Sequence, residues 1–139
     1  MKRVLFICTK NSSRSQMAEA LVNHDLQGRF EAFSAGMDPS FVHPLAIMVM
    51  KELGIDISNQ RSKGLDEFAG QKFDYVITLC SQADEACPVF FGGTRKTHMG
   101  FPDPTATTGS EEDKIATFRR IRDQIRDQVV GFLARGEAS

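Results

Sequence analysis

The sequence predicts an α/β fold: a four-stranded parallel sheet with helices on both faces, forming one domain over residues 1–139. Three observations lead there. Val4–Ile7 is an unbroken apolar run, as a strand buried on both faces of a parallel sheet requires. Segments of strand character alternate with segments of helical spacing across short connections, the pattern of a wound parallel sheet. Of the 139 residues 41% are hydrophobic, enough for one sizeable core and no second.

After the first strand, Met17, Ala20 and Leu21 fall at helical spacing between Ser13 and about Asp25, with Glu19 and His24 elsewhere on the wheel. FEAFSAG, Phe30–Gly36, reads as a second strand closed by a glycine. Pro44 suits a first helical position, where a missing N–H costs nothing. Leu45, Met48, Val49 and Leu53 then follow on one face until Gly54 stops the helix. From Gly54 to Gln71 the chain is polar, with one short helix around Leu65–Phe68. FDYVITLC, Phe73–Cys80, reads as the third strand and KTHMGF, Lys96–Phe101, as a short fourth. Ser110 can cap a last helix whose first turn is acidic, which the helix dipole favours. Ile115, Phe118, Ile121, Ile125, Val129, Phe132 and Leu133 then form a stripe spaced by threes and fours, ending near Gly136. Its outer side, RRIRDQIRDQ, mixes both charges and reads as a solvated face.

Lysine and arginine number 17 against 18 aspartates and glutamates, a net charge of −1, so no basic excess points to a nucleic-acid partner. No stretch approaches the roughly 20 apolar residues that span a bilayer, and Val4–Cys8 is too short for the core of a secretory signal. A cytoplasmic protein is expected, without membrane contact. In that reducing compartment three cysteines, an odd number, serve as reactive or buried thiols rather than as a disulfide framework.

In sheets of this kind ligands bind beyond the carboxyl ends of the strands. Cys8 stands at such a place, directly after the first strand. Thr9, Lys10, Asn11, Ser12 and Ser13 separate it from Arg14, which opens a helix. That spacing suits a loop whose backbone N–H groups converge on one tetrahedral oxyanion, with the positive end of the helix behind it. The same field favours a thiolate, and Arg14 can grip two oxygens at once. A small buried thiol before an ordinary helix would leave the same trace, but the junction of strand and helix favours the oxyanion loop. Cys80 closes the third strand and Cys87 follows seven residues on. Inert buried thiols, a zinc site and a redox relay all use such residues. Zinc asks for close pairs such as Cys-x-x-Cys, whereas His24, His43 and His98 are scattered. For a relay, a short helix capped by Ser81, with Asp84 and Glu85 in its first turn, would hold the Cα atoms of Cys80 and Cys87 roughly 10 Å apart. A disulfide needs them within about 7 Å, so oxidation would unwind that helix.

CTKNSSRSQMAEAL, Cys8–Leu21, resembles the active-site loop of the low-molecular-weight protein tyrosine phosphatase superfamily. FPDPT, Phe101–Thr105, resembles that superfamily's second signature, whose aspartate is the general acid. On residue type alone Asp103 is a turn residue before proline. Together with GIDISNQ, VITLC, Cys87–Pro88 and HMGFPDPT, the three-cysteine spacing is similar to the thioredoxin-coupled arsenate reductases of the superfamily over nearly the whole chain. The resemblance implies a phosphatase-like fold with the flavodoxin-like strand order 2-1-3-4. It also implies Cys8 as nucleophile, Arg14 as oxyanion clamp, Asp103 as acid, Cys80 and Cys87 as relay thiols, and Thr9, Lys10, Asn11, Ser12, Ser13, Arg14 and Ser15 as the substrate-binding loop. Arsenate and related oxyanions would be the substrates and thioredoxin the electron donor, with no cofactor, no catalytic metal and a monomeric chain.

In that frame Asn11 must adopt a left-handed backbone angle, which asparagine tolerates, and the hydroxyls of Ser12, Ser13 and Ser15 hold the loop. Some departures stand out. Lys10 stands where many relatives have glycine and Ser13 where many reductases have another cysteine. Thr105 follows the Asp-Pro pair where tyrosine phosphatases commonly carry an aromatic residue. Some relatives bind potassium behind the loop through an asparagine, a glutamate, a serine and an aspartate. Asn11, Glu19 and Ser34 match, but Lys63 sits at the aspartate's place, either as an ammonium that replaces the ion or as a surface lysine. A tyrosine phosphatase and a non-enzymatic oxyanion or redox sensor are the alternatives that the same residues allow.

Overall fold

The structure is a computed structural model that describes residues 1–81 and 92–138. Strands β1 (Lys2–Cys8), β2 (Phe30–Gly36), β3 (Phe73–Thr78) and β4 (Gly93–His98) form one sheet in the order β2-β1-β3-β4, with every pair parallel. This is the order that the resemblance implies. The central strand β1 sets the register: Val4 lies opposite Ala32 of β2 and Tyr75 of β3.

Val4–Ile7 has no exposed surface, because both faces of β1 are covered. Side chains alternate along a strand. Val4, Phe6 and Cys8 therefore enter the larger core with α1 (Arg14–Asp25), α2 (Pro44–Lys51) and α3 (Glu111–Ile125). Leu5 and Ile7 join Ala35, Phe68, Phe73 and Val76 on the other face, where the expected short helix is a 3-10 turn, Leu65–Phe68. Arg3 lays its guanidinium over the rings of Phe33 and Phe73 at that face.

The helix starts follow their local chemistry. Pro44 is the first residue of α2, and His43 caps it by accepting a hydrogen bond from the Leu45 N–H. Ser110 and Asp113 form a reciprocal capping box at α3, worth about 1 kcal/mol. The apolar stripe Phe118, Ile121, Ile125, Val129 and Leu133 is buried as expected. From Ile121 its members are four apart, a spacing that drifts about 40° per step on a straight α-helix. A π-helical turn, Arg126–Val130, widens the coil between α3 and α4 (Gly131–Ala138) and absorbs that drift. Buried Arg122 ties α3 to α2 through the Val49 carbonyl and Glu52, each at 2.8 Å. Arg126 ties the turn to Asp25 of α1.

Two strand boundaries differ from expectation. β3 ends at Thr78, two residues before Cys80, although the Leu79 N–H still reaches the Ile7 carbonyl at 2.8 Å. β4 runs over Gly93–His98 rather than Lys96–Phe101. Among the described residues it pairs only with β3, and it is mostly exposed, so its residues are polar and carry no alternating signal. The apolar Met99 and Phe101 lie beyond it and cross the end of β3, donating their N–H groups to Thr78 and Leu79 carbonyls. All four strands point their carboxyl ends the same way. Cys8, Gly36, Cys80 and the segment 99–105 therefore meet at one end of the sheet.

Candidate active site

Cys8 is the last residue of β1 and is 1% exposed. The loop behind it turns at Asn11, whose φ of 50° is the left-handed angle expected of it. Its amide is oriented without ambiguity: Oδ1 accepts from the Lys63 N–H at 2.7 Å and from Gln16 Nε2 at 2.9 Å. Nδ2 therefore donates to Ser15 Oγ at 2.7 Å, and the Ser15 hydroxyl lies 2.9 Å from Cys8 Sγ. Ser15 is fully buried, and toward a thiolate at Cys8 its hydroxyl is the donor of that pair.

A small hollow above the sulfur is lined by Cys8, Lys10, Ser12, Ser13, Arg14, Asp103 and Thr105. Arg14, 4% exposed, is braced by the Phe101 carbonyl at 3.1 Å, and its other terminal nitrogen lies 3.9 Å from Asp103 Oδ2. Asp103 is held by the residue that departs from the phosphatase pattern: Oδ1 accepts from the Thr105 N–H at 3.0 Å and the Thr105 hydroxyl at 2.7 Å. Its Oδ2 remains toward Arg14 and the hollow. The Ser13 hydroxyl is buried and has no hydrogen-bond partner among the described residues. Lys10 is exposed at the rim and pairs with Asp38, whose own N–H holds the Thr9 carbonyl. The fold thus brings together Cys8, Arg14, Asp103 and the loop residues Thr9 to Ser15.

Cys80 follows Leu79 and is buried in the same core cluster as Cys8. β1 and β3 are neighbours, paired as far as Ile7 and Thr78, so Cys8 and Cys80 follow from the ends of adjacent strands. Cys87, and the short helix expected after Ser81, lie outside the described residues.

Behind the loop, Asn11, Glu19, Ser34 and Lys63 do converge. Ser34 Oγ donates to Glu19 Oε1 at 2.7 Å, and Lys63 Nζ sits 3.5 Å from the same oxygen, the two charged side chains being 12% and 13% exposed. Lys63 is therefore no free surface lysine. Its ammonium stands where some relatives hold potassium, and the residues present do not fit that ion. No group of three or more His, Cys, Asp or Glu side chains able to hold a metal occurs among the described residues.

The sequence reading missed several supporting residues. Gly36 packs so close to the loop that a Cβ would lie 2.7 Å from the Thr9 carbonyl and 2.8 Å from the Asn11 nitrogen; the only hint was a glycine at a strand end. Gln16 bridges Asn11 to the Arg61 carbonyl, Gln60 holds Gln16, and Ser62 Oγ donates to the Lys10 carbonyl. Two buried glutamine contacts so far apart in sequence leave no local pattern. His43, at the head of α2, donates its backbone N–H to the Ser12 carbonyl. Burial holds its imidazole below the usual histidine range against the opposing pull of Asp103 and Glu111.

With this geometry in view, similarity to known proteins is informative. Residues 3–138 match the family described as low molecular weight phosphotyrosine protein phosphatase. An arsenate reductase of Halalkalibacterium halodurans is 42% identical over 136 residues, covering 98% of each chain. A solved structure of an arsenate reductase in the phosphate-binding state superposes with a TM-score of 0.83 at 34% identity, over 97% of this chain and 98% of that one. A thioredoxin-dependent arsenate reductase of Corynebacterium glutamicum superposes with a TM-score of 0.66 at 29% identity, over 97% of this chain and 63% of that one.

Proposed function

The chain belongs to the low-molecular-weight phosphotyrosine protein phosphatase family, and within it we propose that it reduces arsenate to arsenite through Cys8, Cys80 and Cys87, with thioredoxin as the electron donor. The observation that carries this reading is the second buried thiol: Cys80 lies two residues beyond the strand beside β1, in the same core cluster as Cys8. Hydrolysis of a phosphate ester needs only Cys8, Arg14 and Asp103. Reduction needs a further thiol within reach of the first. The arsenate reductases among the relatives agree with it in kind.

Arsenate settles in the hollow against Arg14 and the loop, with the Ser13 hydroxyl facing it. The Cys8 thiolate, stabilised by the Ser15 hydroxyl, forms a bond to arsenic while one As–OH leaves as water on a proton from Asp103. The Cys80 thiolate then attacks Cys8 Sγ. The S–As bond breaks with its electron pair on arsenic, which falls from the +5 to the +3 state and departs as arsenite. The two sulfurs, oxidised by the same two electrons, become the Cys8–Cys80 disulfide. Cys87 attacks Cys80 in turn, freeing Cys8 and moving the disulfide to a place where the dithiol of thioredoxin reduces it. No other cofactor enters. The working unit is one cytoplasmic, monomeric domain over residues 1–139.

Arsenite formation from arsenate, with thioredoxin, its reductase and NADPH, tests the proposal. The wild type turns over, and Cys87→Ser stops after one equivalent of arsenite. An inactive wild type that hydrolyses an aryl phosphate instead would identify a phosphatase.

A further inference from the structure

His43 belongs to no part of the reacting loop, yet the fold ties it there. Its N–H donates to the Ser12 carbonyl at 3.0 Å. Its ring caps α2, with Nδ1 accepting from the Leu45 N–H at 3.1 Å. Nδ1 therefore carries no proton, and the ring hydrogen sits on Nε2. The ring packs against Phe118, 4.9 Å between centroids, and under Phe41 at 6.3 Å.

A hollow of about 290 Å³ separates this ring from the segment that carries the acid, lined across from His43 by Pro104, Thr105, Thr107, Glu111 and Lys114. Among the described residues the charged groups facing His43 are thus Asp103 from the loop after β4, and Glu111 and Lys114 from α3; the first turn of α2 adds none. The pull of Asp103 and Glu111 favours an imidazolium, but burial outweighs it.

We propose that His43 is a positioning residue for the general acid, a neutral imidazole that caps α2, braces Ser12 and keeps a second cation away from Asp103. The inference rests on Asp103 being the acid. Arg14 already lies 3.9 Å from that carboxyl group. A second cation at position 43, across the hollow from Pro104 and Thr105, would work against the protonated acid that the departing oxygen needs. Protonation of His43 would also set Nδ1–H against the Leu45 N–H and break the cap.

The test is the rate of the first arsenite equivalent, without thioredoxin, across pH. His43→Asn keeps a neutral cap and leaves the alkaline limb of the profile where the wild type has it. His43→Lys brings a fixed cation, moves that limb about one pH unit lower and slows the step roughly tenfold near neutrality. A rate lowered with the limb unmoved would mark a merely structural residue and overturn the proposal. Asp103→Asn separates the two readings: a limb that survives it refutes the acid itself. A limb abolished by Asp103→Asn yet indifferent to His43→Lys refutes only the role of His43. Ring nitrogen NMR of the folded wild type needs no lysine variant. It should report a proton on Nε2 alone at pH 7, and a His43 midpoint that falls in Asp103→Asn; an unchanged midpoint refutes the coupling.

Discussion

Replacing Ser15 with alanine removes the donor that points at Cys8 and nothing else from the wall of the hollow. The Asn11 amide is fixed by the Lys63 N–H and by Gln16 and donates to Ser15 Oγ, and a thiolate at Cys8 Sγ, 2.9 Å away, can only accept from the Ser15 hydroxyl. Both side chains are buried, so bulk water is poorly placed to replace the lost hydroxyl. A hydrogen bond to a charged partner contributes about 1.5–3 kcal/mol, which corresponds to a first turnover slower by roughly ten- to a hundredfold. Alanine also strands Asn11 Nδ2, costing the fold about 1–3 kcal/mol. Two assays separate these effects. Iodoacetamide alkylation of Cys8 at neutral pH, in a background where Cys80 and Cys87 are serine, reads the thiolate; thermal unfolding reads the fold. Alkylation and first-turnover rates equal to those of the parent, in a variant whose melting temperature has fallen, would show that the hydroxyl braces Asn11 and does not serve the sulfur.

Two further outcomes follow from the packing around the loop. Gly36→Ala drives a Cβ against the Thr9 and Asn11 backbone, so it should destabilise by about 1–3 kcal/mol and weaken phosphate binding measured by calorimetry; an unchanged melting temperature and affinity would mean the loop has room to move. Lys63→Ala leaves Glu19 with the Ser34 hydroxyl as its near partner and should cost about 3 kcal/mol, whereas the wild type should melt at one temperature in potassium and in sodium salts. A wild type stabilised by potassium alone would show that an ion, and not the ammonium, balances Glu19.

What was legible beforehand is what short-range physics writes into the chain. The unbroken run Val4–Ile7 marked the buried central strand, because a strand covered on both faces has no polar position to spare. Pro44, Ser110 and the stripe from Phe118 to Leu133 marked helices through caps and periodicity, which depend on neighbours within a few residues. The loop from Cys8 to Arg14 was legible for the same reason: strand end, turn and helix start are consecutive. β4 was displaced because an edge strand with one neighbour has little apolar pattern to show, and the apolar Met99 and Phe101 beyond it drew the boundary with them.

The sequence by itself therefore determined the layer architecture and the junction of strand, loop and helix from Cys8 to Arg14. Only the tertiary structure decided what surrounds them: Asp103 brought to within 3.9 Å of Arg14 across 89 positions, Cys80 buried in one core cluster with Cys8, Lys63 paired with Glu19, and His43 placed across a hollow from Pro104 and Thr105. The physical reason is the sheet. Local periodicity says which segments are strands. Their order β2-β1-β3-β4 and parallel register, settled by burying both faces at once, say which strand ends become neighbours.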